Sequence, residues 1–400
     1  MQHREPEKGA RIIGTDIDKR LRRTFGGVTL KDRWALTILV PLLIFLLTAC
    51  GSSNPSADSG DNQRSGSDLA ATTDKEPIKF GDAQWQTLWI NNAIAKFIIE
   101  HGYGYPVEIV TVTTPVMQAS LPKGDLDVYM ELWHHNIIDW YNEVTSSGRV
   151  IDLGPIFERS TQGWYVPRYV IEGDPERGIE PLAPDLRSVF DLPKYKHVFE
   201  HPEHPGKGTL VNCITGWQCA EINRIKLHAY GLDDDYALLE PGAAAALDAA
   251  IAGAYERGDP ILAYYWEPTW LMGAYDMVLL EEPPFSEACN AIIQQALAGE
   301  IPLEEVPAEA GCAYRDQPVH KGIYHGLKER APEVVAFLEQ MNVGTDPLND
   351  VSAFMEQREA DADQAALYFF ETYPDRWRNW LPDDVEAKVE QALLEAGADL

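Results

Sequence analysis

Asp127-Val-Tyr-Met-Glu-Leu-Trp133 is a short, mostly apolar run that ends in a tryptophan, and it follows a short helical stretch near Val116–Ala119. Its length and its β-branched and aromatic residues read as a strand. Working outward, Ile78–Phe80 and Val107–Val112 (VEIVTV) read as two earlier strands. Between them Trp85, Leu88, Trp89, Ile94, Phe97 and Ile98 recur at helical spacing through Glu100. Downstream, Asn136–Val144 reads as helix, Thr209–Cys213 as strand, Cys219–Tyr230 as helix, Pro241–Arg257 as an Ala-rich helix and Ile261–Trp266 (ILAYYW) as strand. Alternating strand and helix predicts an α/β protein with mainly parallel sheets. The last part of the chain predicts helices over Val319–Arg330, Pro332–Met341, Asp350–Tyr373 and Asp384–Ala396.

The composition sets bounds. The 400 residues hold 63 acids against 33 bases, a formal charge of −30. Such a polyanion is not a general nucleic-acid binder, because that affinity rests on Lys and Arg neutralising phosphates. Five Cys are too few for a disulfide-dense scaffold.

The amino end is a different kind of sequence. Nine basic residues fall within positions 1–33, followed by the uncharged run Trp34–Ala49. Sixteen residues is short for a membrane span, which needs about 20. Basic, then apolar, then small residues is the order of a secretory signal. The run closes in Leu47-Thr48-Ala49-Cys50, which resembles a bacterial lipobox, with Cys50 as the lipidated first residue of the mature protein. The Gly/Ser/Asn/Asp tract after it reads as a flexible tether, here residues 50–76. A plain signal with an incidental Cys is the alternative. Removing residues 1–49 raises the charge of the exported part to −34.

Four Cys remain, and an even number in an exported chain points to two disulfides. Three pairings exist on paper. Cys213 and Cys219 are six apart and close a small loop through Gly216, which leaves Cys289 with Cys312. Zinc is the rival, but no C-x-x-C pair or spaced His pair accompanies them. His134 and His135 are adjacent, and on an extended segment they would face opposite ways, so no metal site is expected.

Ligands of open α/β sheets bind at the carboxyl ends of strands. Tryptophan recurs there: Trp133 ends DVYMELW, Trp266 ends ILAYYW, Trp217 stands in the turn after LVNCIT, and Trp85 opens the first helix. Any one of them is as readily explained by packing, which is the reading for Trp377 and Trp380. Several at one kind of topological position suggest an indole cage for a cation that donates no hydrogen bonds. The backbone N–H groups of Gln218 and Cys219, at a helix start held by a disulfide loop, suit a carboxylate. A zwitterion with a quaternary nitrogen, such as glycine betaine, has both ends.

DVYMELW, the Cys213–Cys219 loop with Gly216-Trp217, and AYYWEPTW together resemble the substrate-binding proteins of ABC importers for glycine betaine, proline betaine, carnitine and choline. The resemblance runs from Pro77 to the end of the chain. It implies a two-lobed, Venus-flytrap fold, with residues 77–162 and 278–400 in one lobe and 163–277 in the other. It also implies that Trp85, Trp133, Trp217 and Trp266 form an aromatic box, with Tyr165 a further candidate and Gln218 and Cys219 the carboxylate site. Some members carry a smaller residue at the position of Gln218 and a His at that of Ile137. The implied protein is a lipid-anchored receptor without a cofactor or catalysed reaction, delivering its solute to a permease and ATPase. Two alternatives stay open: an extracytoplasmic enzyme, for which no G-x-S-x-G, H-E-x-x-H or Walker loop is present, and a non-transporting sensor.

Overall fold

The computed structural model describes residues 75–397. The signal-like segment, Cys50 and the tether up to residue 74 lie outside the described residues. The strands are β1 (Ile78–Asp82), β2 (Val107–Thr111), β3 (Val128–Leu132), β4 (Val150–Phe157), β5 (Gln162–Pro167), β6 (Gly208–Val211), β7 (Tyr236–Leu239), β8 (Ala263–Trp266), β9 (Met277–Leu279) and β10 (Val319–Tyr324). They form two five-stranded sheets, β2-β1-β3-β10-β4 and β7-β6-β8-β5-β9. Each sheet is mixed. The β2-β1-β3 and β7-β6-β8 halves pair in parallel, as the strand–helix alternation requires. β5 and β10, the strands entered after the chain crosses between the sheets, run antiparallel to both of their neighbours.

Three helices position the site: α1 (Gln86–Ile98) after β1, α2 (Gln218–Ala229) after β6, and α3 (Glu287–Leu297). On α1 the residues Thr87, Asn91, Ile94 and Ile98 are buried at helical spacing, so that face packs inward. Two segments cross between the sheets side by side, where the Ser160 hydroxyl donates to the Gln317 carbonyl (2.8 Å).

The expected helix over residues 319–330 is wrong for its first half, which is β10, paired antiparallel with β3 and β4. Gly322 is the local sign against a helix there. Glycine in a helix costs about 1 kcal/mol relative to alanine, and here a Cβ on Gly322 would lie 2.4 Å from Leu132 Cδ1. Only Leu327–Arg330 is helical in that stretch. The predicted helix over 350–373 is two, Thr345–Arg358 and Ala362–Thr372. Asp361 starts the second with a capping box, accepting from the Gln364 amide at 2.9 Å while Gln364 Oε1 accepts from the Asp361 amide at 3.0 Å.

The return to the first sheet comes with β10, later than residue 278, where the sequence placed it. The intervening α3 packs on α2 instead, around Ile222, Ile225, Cys289, Ile293 and Cys312, because the Cys289–Cys312 disulfide and this small apolar cluster hold it there. Trp377 and Trp380 are buried packing residues, as expected. Trp377 donates to the Phe370 carbonyl (3.0 Å) and Trp380 stacks on Phe369.

Below α2 lies a buried ion pair. Lys226 Nζ is 2.7 Å from Glu282 Oε2 with the two side chains 1% and 2% exposed. The Tyr314 ring covers the ammonium at 4.0 Å, and the Tyr230 hydroxyl donates to the same carboxylate. Removing one partner leaves an uncompensated buried charge. Lys226→Met is therefore expected to cost about 3–5 kcal/mol, with most of it regained in Lys226→Met/Glu282→Leu. Urea unfolding midpoints of the three proteins check this.

Candidate functional site

Between the carboxyl ends of the two sets of strands lies a cavity of about 60 Å³. Trp85, Trp133, Trp217 and Trp266 all line it, together with Gln218 and Cys219. Four chain segments supply the indoles. Trp85 precedes α1, Trp133 follows β3, Trp217 precedes α2, and Trp266 closes β8. The rings of Trp85 and Trp217 meet edge to face at 5.3 Å, as do those of Trp217 and Trp266 at 5.4 Å. Tyr264, two residues before Trp266 on the same strand face, stacks on it at 6.2 Å.

Tyr165 does not line the cavity. It is buried within the second sheet, opposite Ala263 on one side and Leu279 on the other. The wall residues supplied nearby are Gln162 and Tyr264 instead, with the Tyr264 hydroxyl donating to Gln162 Oε1 (2.8 Å). Gln162 also exchanges amide hydrogen bonds with Asn136 at 3.1 and 3.2 Å, so these wall amides satisfy one another. Ile137 completes the wall.

Sequence reasoning missed Glu131. It lies on the cavity wall, 1% exposed, on the same face of β3 as Tyr129. Four donors converge on its carboxylate: Trp85 Nε1 (2.6 Å), Asn91 Nδ2 (2.8 Å), the Thr87 hydroxyl (3.2 Å) and Trp133 Nε1 (3.3 Å). Burial nevertheless outweighs them and pushes its pKa up to about 7. The signal was present in the alternation Tyr129-x-Glu131-x-Trp133, which puts an acid between two aromatics on one face of the strand.

Cys213 is bonded to Cys219, and Cys289 to Cys312, the pairs expected. The first bond closes the loop through Gly216 and Trp217 and ends on a residue of the cavity wall. As the first residues of α2, Gln218 and Cys219 have amides without intrahelical acceptors, so the helix start presents N–H groups and positive dipole there.

Directly after Trp133 the chain turns through a 3₁₀ segment, His134–Ile137, rather than staying extended. This brings the rings of His134 and His135 within 4.4 Å instead of opposing them. His134 also lies 4.5 Å from the His320 ring and 5.0 Å from Tyr141. Asp152 sits 2.7 Å from His320 Nδ1 and accepts from Tyr141. Among the described residues no group of three or more His, Cys, Asp or Glu is arranged to hold a metal ion. Burial first, then repulsion from His135 and His320, lowers the His134 pKa from 6.5 to about 4. Between those values the unfolded chain takes up a proton that the folded chain refuses, so stability falls as pH drops through this window. His134→Phe is expected to unfold with a smaller loss of stability between about pH 7 and pH 5 than the unmodified protein, read from urea midpoints at the two pH values.

Residues 76–372 match the family model described as the substrate-binding domain of ABC-type glycine betaine transport systems. Among curated proteins, the chain is similar to the trimethylamine N-oxide-binding protein of Pelagibacter ubique, 21% identical over 78% of this chain and 90% of that one. It is also similar to the glycine betaine/proline betaine-binding periplasmic protein of Salmonella typhimurium, 23% identical over 52% and 60% of the two chains. Among solved structures, the glycine betaine/L-proline-binding protein of Borrelia burgdorferi superposes with a TM-score of 0.60 at 20% identity, covering 78% of this chain and 99% of that one. The lactococcal OpuAC protein complexed with glycine betaine gives 0.57 at 16% identity, covering 77% and 100%. These likenesses establish the two-lobed periplasmic-binding-protein fold. The chain belongs to the family of substrate-binding domains of ABC-type glycine betaine transport systems.

Proposed function

We propose that this protein is an extracytoplasmic receptor that captures a methylated ammonium solute in its indole cage and hands it to the permease and ATPase of an importer. Glycine betaine leads, followed by proline betaine, carnitine and choline. One observation carries the reading: four tryptophans from separate chain segments line a single cavity. Their electron-rich faces hold a cation that has no N–H to donate, each contact being worth about 2 kcal/mol when desolvated. The amides of Gln218 and Cys219 on the same wall suit the carboxylate of a betaine. In this reading one lobe comprises residues 75–161 and 319–397, and the other residues 162–318. A lipid on Cys50, which lies outside the described residues, would tether the receptor to the membrane. No helix of the described residues is long and apolar enough to cross a membrane.

Glu131 favours a second ligand, trimethylamine N-oxide, which the Pelagibacter relative is named for. A neutral carboxylic acid in the cavity donates a hydrogen bond to an N-oxide oxygen. An ionised one instead stabilises a quaternary ammonium. With the Glu131 pKa near 7, the two readings carry opposite pH dependence. Affinity for a quaternary ammonium rises as pH increases through that value, and affinity for the N-oxide falls.

Isothermal titration of the purified protein with glycine betaine, proline betaine, carnitine, choline and trimethylamine N-oxide, at pH values on either side of 7, separates the cases. Binding of none of them would sink the proposal. Glu131→Gln is expected to abolish the pH dependence in both cases and to weaken a quaternary ammonium more than the N-oxide. Trp217→Ala is expected to weaken the tightest ligand about tenfold or more while the far-UV circular dichroism stays unchanged. Unaltered affinity would remove Trp217 from the site.

A further inference from the structure

Beside the cavity the two lobes meet at two backbone carbonyls. The Trp217 indole N–H donates to the Ala83 carbonyl (2.7 Å), and the Thr114 amide donates to the Gly216 carbonyl (2.9 Å). Each bond joins the segment after a first-sheet strand, β1 or β2, to the turn after β6 in the second sheet. Neither involves a charge, so neither is screened by salt as a surface ion pair would be.

Two backbone positions are unusual at this contact. Gly216 has φ +96°, and a Cβ built on it would lie 2.9 Å from Thr113 Cγ2 and 3.4 Å from Thr113 Cβ. Any side chain there meets the facing lobe as well as the strain of a left-handed backbone. Across the seam, Gln84 takes φ +67°, rare for a residue with a side chain, and Asp82 Oδ1 accepts its amide hydrogen at 2.7 Å. The same oxygen accepts from Trp89 Nε1 (3.0 Å), which anchors the bend to α1. The bend directly follows Ala83, whose carbonyl receives Trp217.

We propose that Gly216-Trp217 and the pair Ala83/Thr114 form a latch that reports lobe closure, with Trp217 as the positioning residue that links it to the ligand. The indole face lines the cavity while its N–H crosses the seam, so a ligand seated against the ring holds it in the orientation that engages Ala83. Gly216 allows the lobes to approach closely enough for both bonds to form. The latch stands on the geometry of the seam alone. Its coupling to a solute rests on the reading given under Proposed function.

A cross-link separates the two. The 3.4 Å between Thr113 Cβ and a Cβ at position 216 lies just below the usual disulfide range of about 3.5–4.5 Å. Thr113→Cys/Gly216→Cys in the full chain should cross-link under mild oxidation, with the Cys213–Cys219 and Cys289–Cys312 bonds verified by peptide mapping. Glycine betaine or trimethylamine N-oxide should accelerate it. Adding Trp217→Phe keeps an aromatic face, removes the N–H, and should slow cross-linking about three- to tenfold, the range for one ordinary hydrogen bond. Absence of the cross-link in a protein with both native disulfides intact overturns the latch, and so does a rate indifferent to Trp217→Phe. A cross-link that Trp217→Phe slows but neither solute accelerates upholds the latch and rejects its coupling to these two solutes. Where the double variant misfolds, Gly216→Ala carries the test without any added solute. Its small-angle scattering should shift to longer inter-lobe distances at unchanged circular dichroism, and an unchanged distance distribution overturns the proposal.

Discussion

A carboxylate buried in a protein must find donors or give up its charge, and the first-lobe wall of the cavity is organised around that demand. Glu131 is reached by indole N–H groups from Trp85 and Trp133, an amide from Asn91 and a hydroxyl from Thr87. Three of these donors come from the first helix and its cap, and one from the end of β3. The helix start is thereby fixed against the strand end, and two of the four indoles are oriented by their N–H edges. The second-lobe half is held by other means. Trp266 lies against Tyr264 and Tyr265, and the Trp217 N–H reaches across to Ala83. One half of the wall is set within its own lobe, and one indole of the other half is set by contact between lobes.

What the sequence made legible followed from local rules. Strands ending in tryptophan, a six-residue cysteine spacing and a turn before a helix are all short-range patterns, and they located Trp85, Trp133, Trp217, Trp266, Gln218 and Cys219 on one cavity. What it concealed was non-local. β10 carries VHKGIY between two strands roughly 190 and 170 residues away in the chain, and beyond Gly322 little local distinguishes it from the start of the helix that follows. Tyr165 sits beside aromatic neighbours in sequence, yet sheet pairing buries it between β8 and β9. The aromatic that reaches the cavity from this sheet is Tyr264, on the neighbouring strand.

The acid excess needs refining in the same way. Most of the 63 acidic side chains cover surface, where they favour solubility and weak self-repulsion. They say little about the ligand. The single carboxylate on the cavity wall is a different matter, because burial moves its pKa into the range where charge and neutrality are both accessible. The four indoles on that wall present electron-rich faces, which suit a cation. Beside them Glu131 adds a group that accepts or donates a hydrogen bond according to its protonation.

Glu131 and His134 lie three residues apart on either side of Trp133, and their linkage to pH runs in opposite directions. Glu131 has its pKa raised from 4.5 to about 7, so the folded protein holds a proton that the unfolded chain has released, and this contribution to stability is lost as pH rises through that interval. His134 has its pKa lowered from 6.5 to about 4, so its contribution is present above that interval and lost as pH falls through it. From roughly pH 4.5 to 6.5 the two slopes oppose each other. The fold therefore loses less stability in mild acid than His134 alone would cause.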